Sequence, residues 1–339
     1  LGGMIFPALI FPALNAGDPS ALRGWAVPVA TDIAFALGVL SLLGRRVPHS
    51  VKLFLLTLAI ADDLGGILVI ALFFTSDLAL GSLALAVGGL LLVWVLTRVG
   101  VRSEMLYIPL GFIVWYFFLE SGVHATIAGV ALGFLTPARP MYGARDFEGR
   151  ARRILETFPA SVDSAADRER SDHEALLLTQ VSREAVAPLS RWEHALAPWV
   201  SFVIVPVFAL ANAGIRFEGS VLSALTSRVA IGVGLGLVVG KVLGITSFSW
   251  LAIRSGIGRM PAGAGWRHML GVAATAGIGF TVALFITALA FDSPVFTDQA
   301  KVGIFAGSLV AGVLGVTIFL GGRNRARRQT EATPLEVMT

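Results

Sequence analysis

Four residues carry charge deep inside apolar runs: Asp32 in ATDIAFALG, Asp62 and Asp63 in AIADDLGGI, and Lys241 in VVGKVLGI. At the middle of a membrane-spanning helix each such residue costs roughly 2.5–3.5 kcal/mol, and intramembrane ionisable groups mark ion or proton pathways by default. A salt-bridge knot that merely locks helices together is the plainer alternative, and charge arithmetic weighs against it. Three carboxylates and one ammonium are two positive charges short when all are ionised, an imbalance that a low-dielectric interior does not tolerate. Protons on the carboxylates, or a cation held by oxygen ligands, would fill the deficit. If both occupants fill the same deficit, each displaces the other, and such competition combined with alternating access is antiport.

Neighbouring residues refine the roles. Successive helical residues point about 100° apart, so Asp62 and Asp63 cannot aim their carboxylates the same way. One can line an ion path while the other meets a neighbour such as Lys241. Thr31, beside Asp32, offers a neutral oxygen that suits a hard alkali cation. Pro28 removes a backbone donor four residues before Asp32, and TAGIGFTVALF carries Gly277 and Gly279 at mid-span, so both segments are candidates for interrupted helices lining a cavity. Broken spans expose half-helix ends of opposite partial charge, which Asp32 and Lys241 are suited to neutralise. Gly232, Gly236, Gly240 and Gly244 form a four-residue repeat, and with Gly303 and Gly307 they read as close-packing faces.

The elements that must hold these residues are apolar. Of 339 residues 55% are hydrophobic and 14% charged, with a mean hydropathy of +0.79, against about 25% charged in globular proteins. That excludes a water-soluble globule and predicts an all-α polytopic membrane protein. Ten apolar segments are expected near 3–15, 25–43, 51–74, 79–97, 105–119, 122–137, 196–213, 229–253, 268–291 and 301–320. Most of the 26 Lys and Arg fall in alternate connectors, namely those holding Arg45, Arg46 and Lys52, then Arg98 and Arg102, then 138–195, then Arg254, Arg259 and Arg267, and finally the tail after Leu320. This bias puts the C-terminus and the long loop in the cytoplasm. Trp25, Trp94, Trp199 and Trp250 near segment ends fit an interfacial belt.

The expected division is a first membrane half over 1–137, a charged cytoplasmic loop over 138–195, a second membrane half over 196–320 and a basic cytoplasmic tail over 321–339. The loop mixes both charge signs and reads as a solvated, partly helical linker. The triplets flanking segments two and nine would run oppositely through the membrane, as inverted-topology repeats with an interrupted central member do. A net charge of +4 comes without a basic stripe interleaved with aromatics, so nucleic acid is not an expected partner. Cysteine is absent and the five histidines lack ligand spacing, so neither a cofactor nor a resident metal site is expected. Residue 1 is Leu inside an apolar run already under way, so the chain is expected to lack its true N-terminus.

In order along the chain, TDIAFALGVLSLLG, LAIADDLGGI, SGVHATIAGV, FALANAG, GKVLGI and GIGFTVALFI resemble the NhaA-type sodium/proton antiporters, a match spanning nearly everything except the 138–195 loop. The resemblance implies a bacterial inner-membrane, pH-regulated exchanger of Na⁺ or Li⁺ for protons, needing no cofactor and able to pair as a homodimer. By motif, Asp62 and Asp63 correspond to the ion- and proton-binding pair, Lys241 to the buried lysine, and Thr31 and Asp32 to their partners at the interrupted helix. Glu193 and His194 in WEHALAPW fall where the family places part of its pH sensor, and Ala197 stands where a second histidine can occur. The segments would correspond to the family's third to twelfth. Two other classes fit these residues less well. A cation channel needs a continuous pore, which tight glycine faces and a midplane lysine obstruct. An intramembrane aspartyl protease needs carboxylates converging from two helices, whereas Asp62 and Asp63 are adjacent on one.

Overall fold

The computed structural model describes residues 1–75, 78–101, 103–159, 164–215 and 221–321. The expected basic tail lies outside the described residues from 322 onward, as do Arg102 and Arg216. Helices dominate, with no strand among the described residues. In chain order they are α1 (Gly2–Asn15), α2 (Pro19–Val29, ending as a 3₁₀ helix), α3 (Ile33–Leu42), α4 (His49–Phe73), α5 (Leu80–Val99), α6 (Glu104–Glu120) and α7 (Thr126–Leu135). There follow α8 (Ala144–Thr157), α9 (Ala165–Glu184), α10 (Pro188–Asn212), α11 (Arg228–Arg254), α12 (Trp266–Thr275), α13 (Phe280–Ala290) and α14 (Pro294–Leu320).

By length and composition α4, α5, α10, α11 and α14 can each cross a membrane. Two bent pairs, α2 with α3 at 44° and α12 with α13 at 47°, raise the count of spans from 5 to 7. The three other expected segments form the shorter apolar helices α1, α6 and α7, of 14, 17 and 10 residues. Leu42, Leu72, Phe202 and Leu210 are largely exposed on helix surfaces, an apolar exterior that suits lipid rather than water.

The chain divides into two compact units, Leu1–Phe74 with Val205–Thr339, and Thr75–Ile204. These borders differ from the division at 137 and 196 drawn from the sequence, and one of them falls inside α10. In the first unit the glycine repeat of α11 is a track for α1. A methyl group on Gly232 would meet Phe11 and Asn15, on Gly240 the ring of Pro7, and on Gly244 the carbonyl of Gly2. On another side, Gly303 of α14 abuts the Ala230 backbone and Gly307 the Cα of Gly234. Backbones that touch so closely gain dispersion contact without an obstructing side chain. A cluster including Phe11, Val27, Val233, Leu237, Leu284 and Ile304 fills the space between α1, α2, α11, α13 and α14.

In the second unit α5, α6 and α7 meet around Ala86, Val114, Phe118 and Ala128. The stretch expected as a linker holds two ordered helices, α8 and α9, packed on one another. Ser164 and Asp167 form a reciprocal capping box that starts α9, satisfying two otherwise orphaned donors. The expected seventh segment begins at Pro188 rather than 196, because Pro188 sits in the first turn of α10, where a missing N–H costs nothing. An apolar groove of about 620 Å³ runs along Val93, Ile108, Phe112, Leu132 and Leu196 of this unit, and none of the four intramembrane charges lines it.

Candidate ion-binding site

Both bent pairs are broken where the backbone has lost helical partners. Pro28 supplies no N–H, and beyond Val29 the chain turns extended at Ala30 and at Asp32. In the second pair the break runs from Ala276 to Gly279, and a side chain on Gly277 would strike the Leu237 carbonyl and Ala311. Each break leaves carbonyls at one half-helix end and N–H groups at the other unsatisfied, away from water. The two breaks answer each other. The Asp32 N–H donates to the Ile278 carbonyl at 2.6 Å, and the Thr31 hydroxyl donates to the Ala276 carbonyl at 2.9 Å.

The Asp32 carboxylate serves the other ends. One oxygen accepts from Phe35 N at 3.0 Å, capping α3, and the second accepts from Thr281 N at 2.9 Å and Thr281 Oγ1 at 2.5 Å, capping α13. Two half-helix N-termini of roughly +0.5 charge each thus converge on one carboxylate. With both oxygens occupied by donors, Asp32 is less open to an ion than its place in the sequence suggests.

Lys241 is aimed by a π-helical turn, Gly236–Gly240, whose extra residue makes the Lys241 N–H bond to Gly236; such bulges re-aim the side chain that follows. The ammonium has no exposed surface and donates three bonds, to Val29 O at 2.6 Å, Thr31 Oγ1 at 2.8 Å and Asp62 Oδ2 at 2.7 Å. It therefore meets the C-terminal end of α2 and one carboxylate together. Asp62 is buried, and α1 passes close enough that a Cβ on Gly3 would lie 3.2 Å from Asp62 Oδ2. Asp63, half-buried, points elsewhere. Oδ1 of Asp62 and Oδ1 of Asp63 are buried and have no hydrogen-bond partner among the described residues, although buried carboxylate oxygens are ordinarily paired.

Asp62, Lys241, Thr31 and the backbone of the first break thus form one hydrogen-bonded cluster, and Asp32 joins the second break to it. Gly277 and Gly279 lie at that second break. Glu193 and His194 take no part in these bonds. Both are exposed on α10, and a ring nitrogen of His194 lies 2.8 Å from Ser190 O. Thr281 escaped the sequence reading, as did Ser308 of α14, whose hydroxyl accepts from Gly279 N at 3.2 Å. Their only signal was a hydroxyl inside an apolar span near a break. Among the described residues no three His, Asp or Glu gather as a resident-metal site; the unpaired oxygens suit a visiting hard cation.

Comparison with known proteins gives concordant matches. The model of a family described as Na⁺/H⁺ antiporter 1 matches residues 1–319. The Na(+)/H(+) antiporter NhaA of Syntrophobacter fumaroxidans is 46% identical over 337 residues, covering 97% of this chain and 71% of the relative. That of Nitrobacter hamburgensis is 48% identical over 316 residues, covering 93% and 68%. Na(+)/H(+) antiporter NhaA 2 of Pseudomonas syringae pv. syringae is 45% identical over 319 residues, covering 94% and 71%.

Proposed function

Because the chain belongs to the Na⁺/H⁺ antiporter 1 family, a family of transporters rather than enzymes, we propose that it exchanges Na⁺ or Li⁺ for protons by alternating access. Cation and protons compete for Asp62 and Asp63. The observation that carries this reading is the pair of buried, unpartnered Oδ1 atoms on those residues, in a cluster short of positive charge. The half-helix ends do not make up the shortfall. The two N-termini converge on Asp32, the C-terminus of α2 meets Lys241 through Val29 O and that of α12 meets Thr31 through Ala276 O, and the four ends together contribute nothing net. Two more positive charges are needed when every carboxylate is ionised.

Each residue then has a distinct part. Asp63, free of the lysine, offers the first oxygen to an incoming ion. Asp62 is held by Lys241 until a cation competes for it, and Lys241 then keeps its bond to the Val29 carbonyl. Asp32 is a fixed counter-charge rather than an ion ligand, and Thr31 ties the two breaks. The protein works as a multi-pass protein of the bacterial inner membrane, with lipid around it. The Lys/Arg bias supports a cytoplasmic C-terminus. We extend the reading to pH regulation through Glu193 and His194, to inverted repeats centred on the two broken spans, and to a homodimer. A cation channel is disfavoured by an ammonium pinned by three acceptors in the cluster, and aspartyl proteolysis by the commitment of Asp62 to Lys241.

In membrane vesicles holding a proton gradient, adding Na⁺ should dissipate the gradient, and Asp63→Asn or Asp62→Asn should abolish the response. Undiminished exchange in both variants sinks the site assignment, and single-channel currents would favour a pore.

A further inference from the structure

We infer that His268 is a proton-released clamp on the first turn of α12, closed when its imidazole is neutral and open when it is protonated. The inference goes beyond the exchanger reading, and its test reads the backbone rather than transport. Gly265, the N-terminal cap of α12, is extended (φ −131°, ψ 176°) and offers no side-chain oxygen to the first N–H groups, which have no intrahelical partners. The ring three residues on supplies the other half of a capping box. Gly265 N–H donates to His268 Nδ1 at 3.1 Å, while His268 N–H and Met269 N–H donate back to the Gly265 carbonyl at 2.8 and 3.2 Å. His268 is half-buried, with the Phe319 ring of α14 beside it at 6.1 Å between centroids.

Imidazole accepts at Nδ1 only while that nitrogen is bare, and the imidazolium is a donor at both nitrogens. Protonation therefore sets N–H against N–H at Gly265 and adds a positive charge to the positive end of α12. No acidic group is at hand to hold that charge. The elements packed on α12 are α3, α4, the second half of α11, and α14, and no Asp or Glu occurs in 33–61, 242–291 or 299–321. The ionisable groups at this end are Arg46, His49 and Lys52 around the start of α4, Arg254 and Arg259 after α11, and Arg267, whose guanidinium donates to the Ile318 carbonyl. Asp32, Asp62, Asp63 and Lys241 belong to the breaks at the other end of α12, and Asp298 and Lys301 to the other end of α14. Donor clash, helix dipole and surrounding cations all act toward release. Because α12 has only ten residues, and the Ala276 carbonyl just beyond it takes the Thr31 hydroxyl, the clamp fixes the start of a short half-helix that ends at the break.

The test is hydrogen–deuterium exchange of the full-length protein in lipid nanodiscs at about pH 8.5 and about pH 5.5, either side of the range in which histidines change charge. Protection over 265–269 is corrected for the intrinsic pH dependence of amide exchange. Wild-type protection is expected to fall about fivefold on acidification, the factor that loss of one helix cap corresponds to, while α14 over 300–311 stays protected. His268→Gln, whose amide oxygen accepts at either pH, keeps its protection at both, and His268→Ala is low at both. The glutamine variant carries the test if the alanine variant does not accumulate. Equal wild-type protection at the two pH values overturns the inference, as does a glutamine variant that loses protection alongside wild type, or a fall that α14 shares. A wild type that clamps and releases in this way but moves no protons when Na⁺ is added upholds the clamp and overturns the exchanger reading alone.

Discussion

Lys241 and Asp62 are tied together at 2.7 Å with essentially no exposed surface on either, so removing one partner strands a charge in a low-dielectric site. Breaking such a pair costs about 3–5 kcal/mol. Lys241→Ala should accordingly lower the unfolding temperature of detergent-solubilised protein, and adding Asp62→Asn should recover part of the loss, since no unpaired charge then remains at that contact. A double variant no more stable than Lys241→Ala would mean that the Val29 and Thr31 contacts dominate. Thr281→Val removes one charge-assisted bond onto Asp32, worth about 1.5–3 kcal/mol, and Thr281→Ser should keep it; thermal unfolding of the two variants distinguishes them. The four charges were legible because an ionisable group in an apolar run is conspicuous. Thr281 and Ser308 were not, because a hydroxyl in a span usually bonds its own helix, as Thr287 does to Ala283. Nor could the sequence show that Lys241 reaches a carbonyl 212 residues away.

The two interruptions could be anticipated from Pro28 and from Gly277 and Gly279, since both remove something a continuous helix needs. What the sequence left open is that each break supplies the acceptors or donors the other lacks, an arrangement set by tertiary placement. In the 138–195 stretch no residue of α8 or α9 is buried, so its partly helical character was legible while the packing of the two helices on one another was not. The glycine repeat on α11 was legible as a close-packing face, though not its occupant. Gly244→Ala would push a methyl group into the Gly2 carbonyl, and overpacking of this kind costs about 1–3 kcal/mol or more. Gly38→Ala in α3 meets nothing within 4 Å and should stabilise by about 0.5–1 kcal/mol through reduced chain entropy. Unfolding temperatures that move the same way in both variants would contradict this account of α1 against α11.

For the whole molecule, an ion bound only by the folded state stabilises it by mass action. Na⁺ at a hundred times its dissociation constant should add about 2.7 kcal/mol, read as a rise in unfolding temperature that Asp63→Asn abolishes. On the proposal that protons compete for the same oxygens, the Na⁺ concentration needed for a given rise should increase as the pH is lowered. A rise that is independent of pH would separate cation binding from protonation. The membrane class followed from composition alone, because only lipid tolerates so apolar an exterior. The count of crossings did not, since α1, α6 and α7 are shorter than a straightforward span. The seating of α1 on α11 also bears on how such a protein can move. Where two main chains meet with no side chain between them, sliding by even one residue drives a carbonyl or a proline ring into the opposite backbone, and rolling meets the same obstacle. These two helices are therefore expected to travel as one beam, and the hinge that the proposed alternating access requires falls to the unwound stretches, where the backbone is already bent and its polar atoms already lean on neighbours.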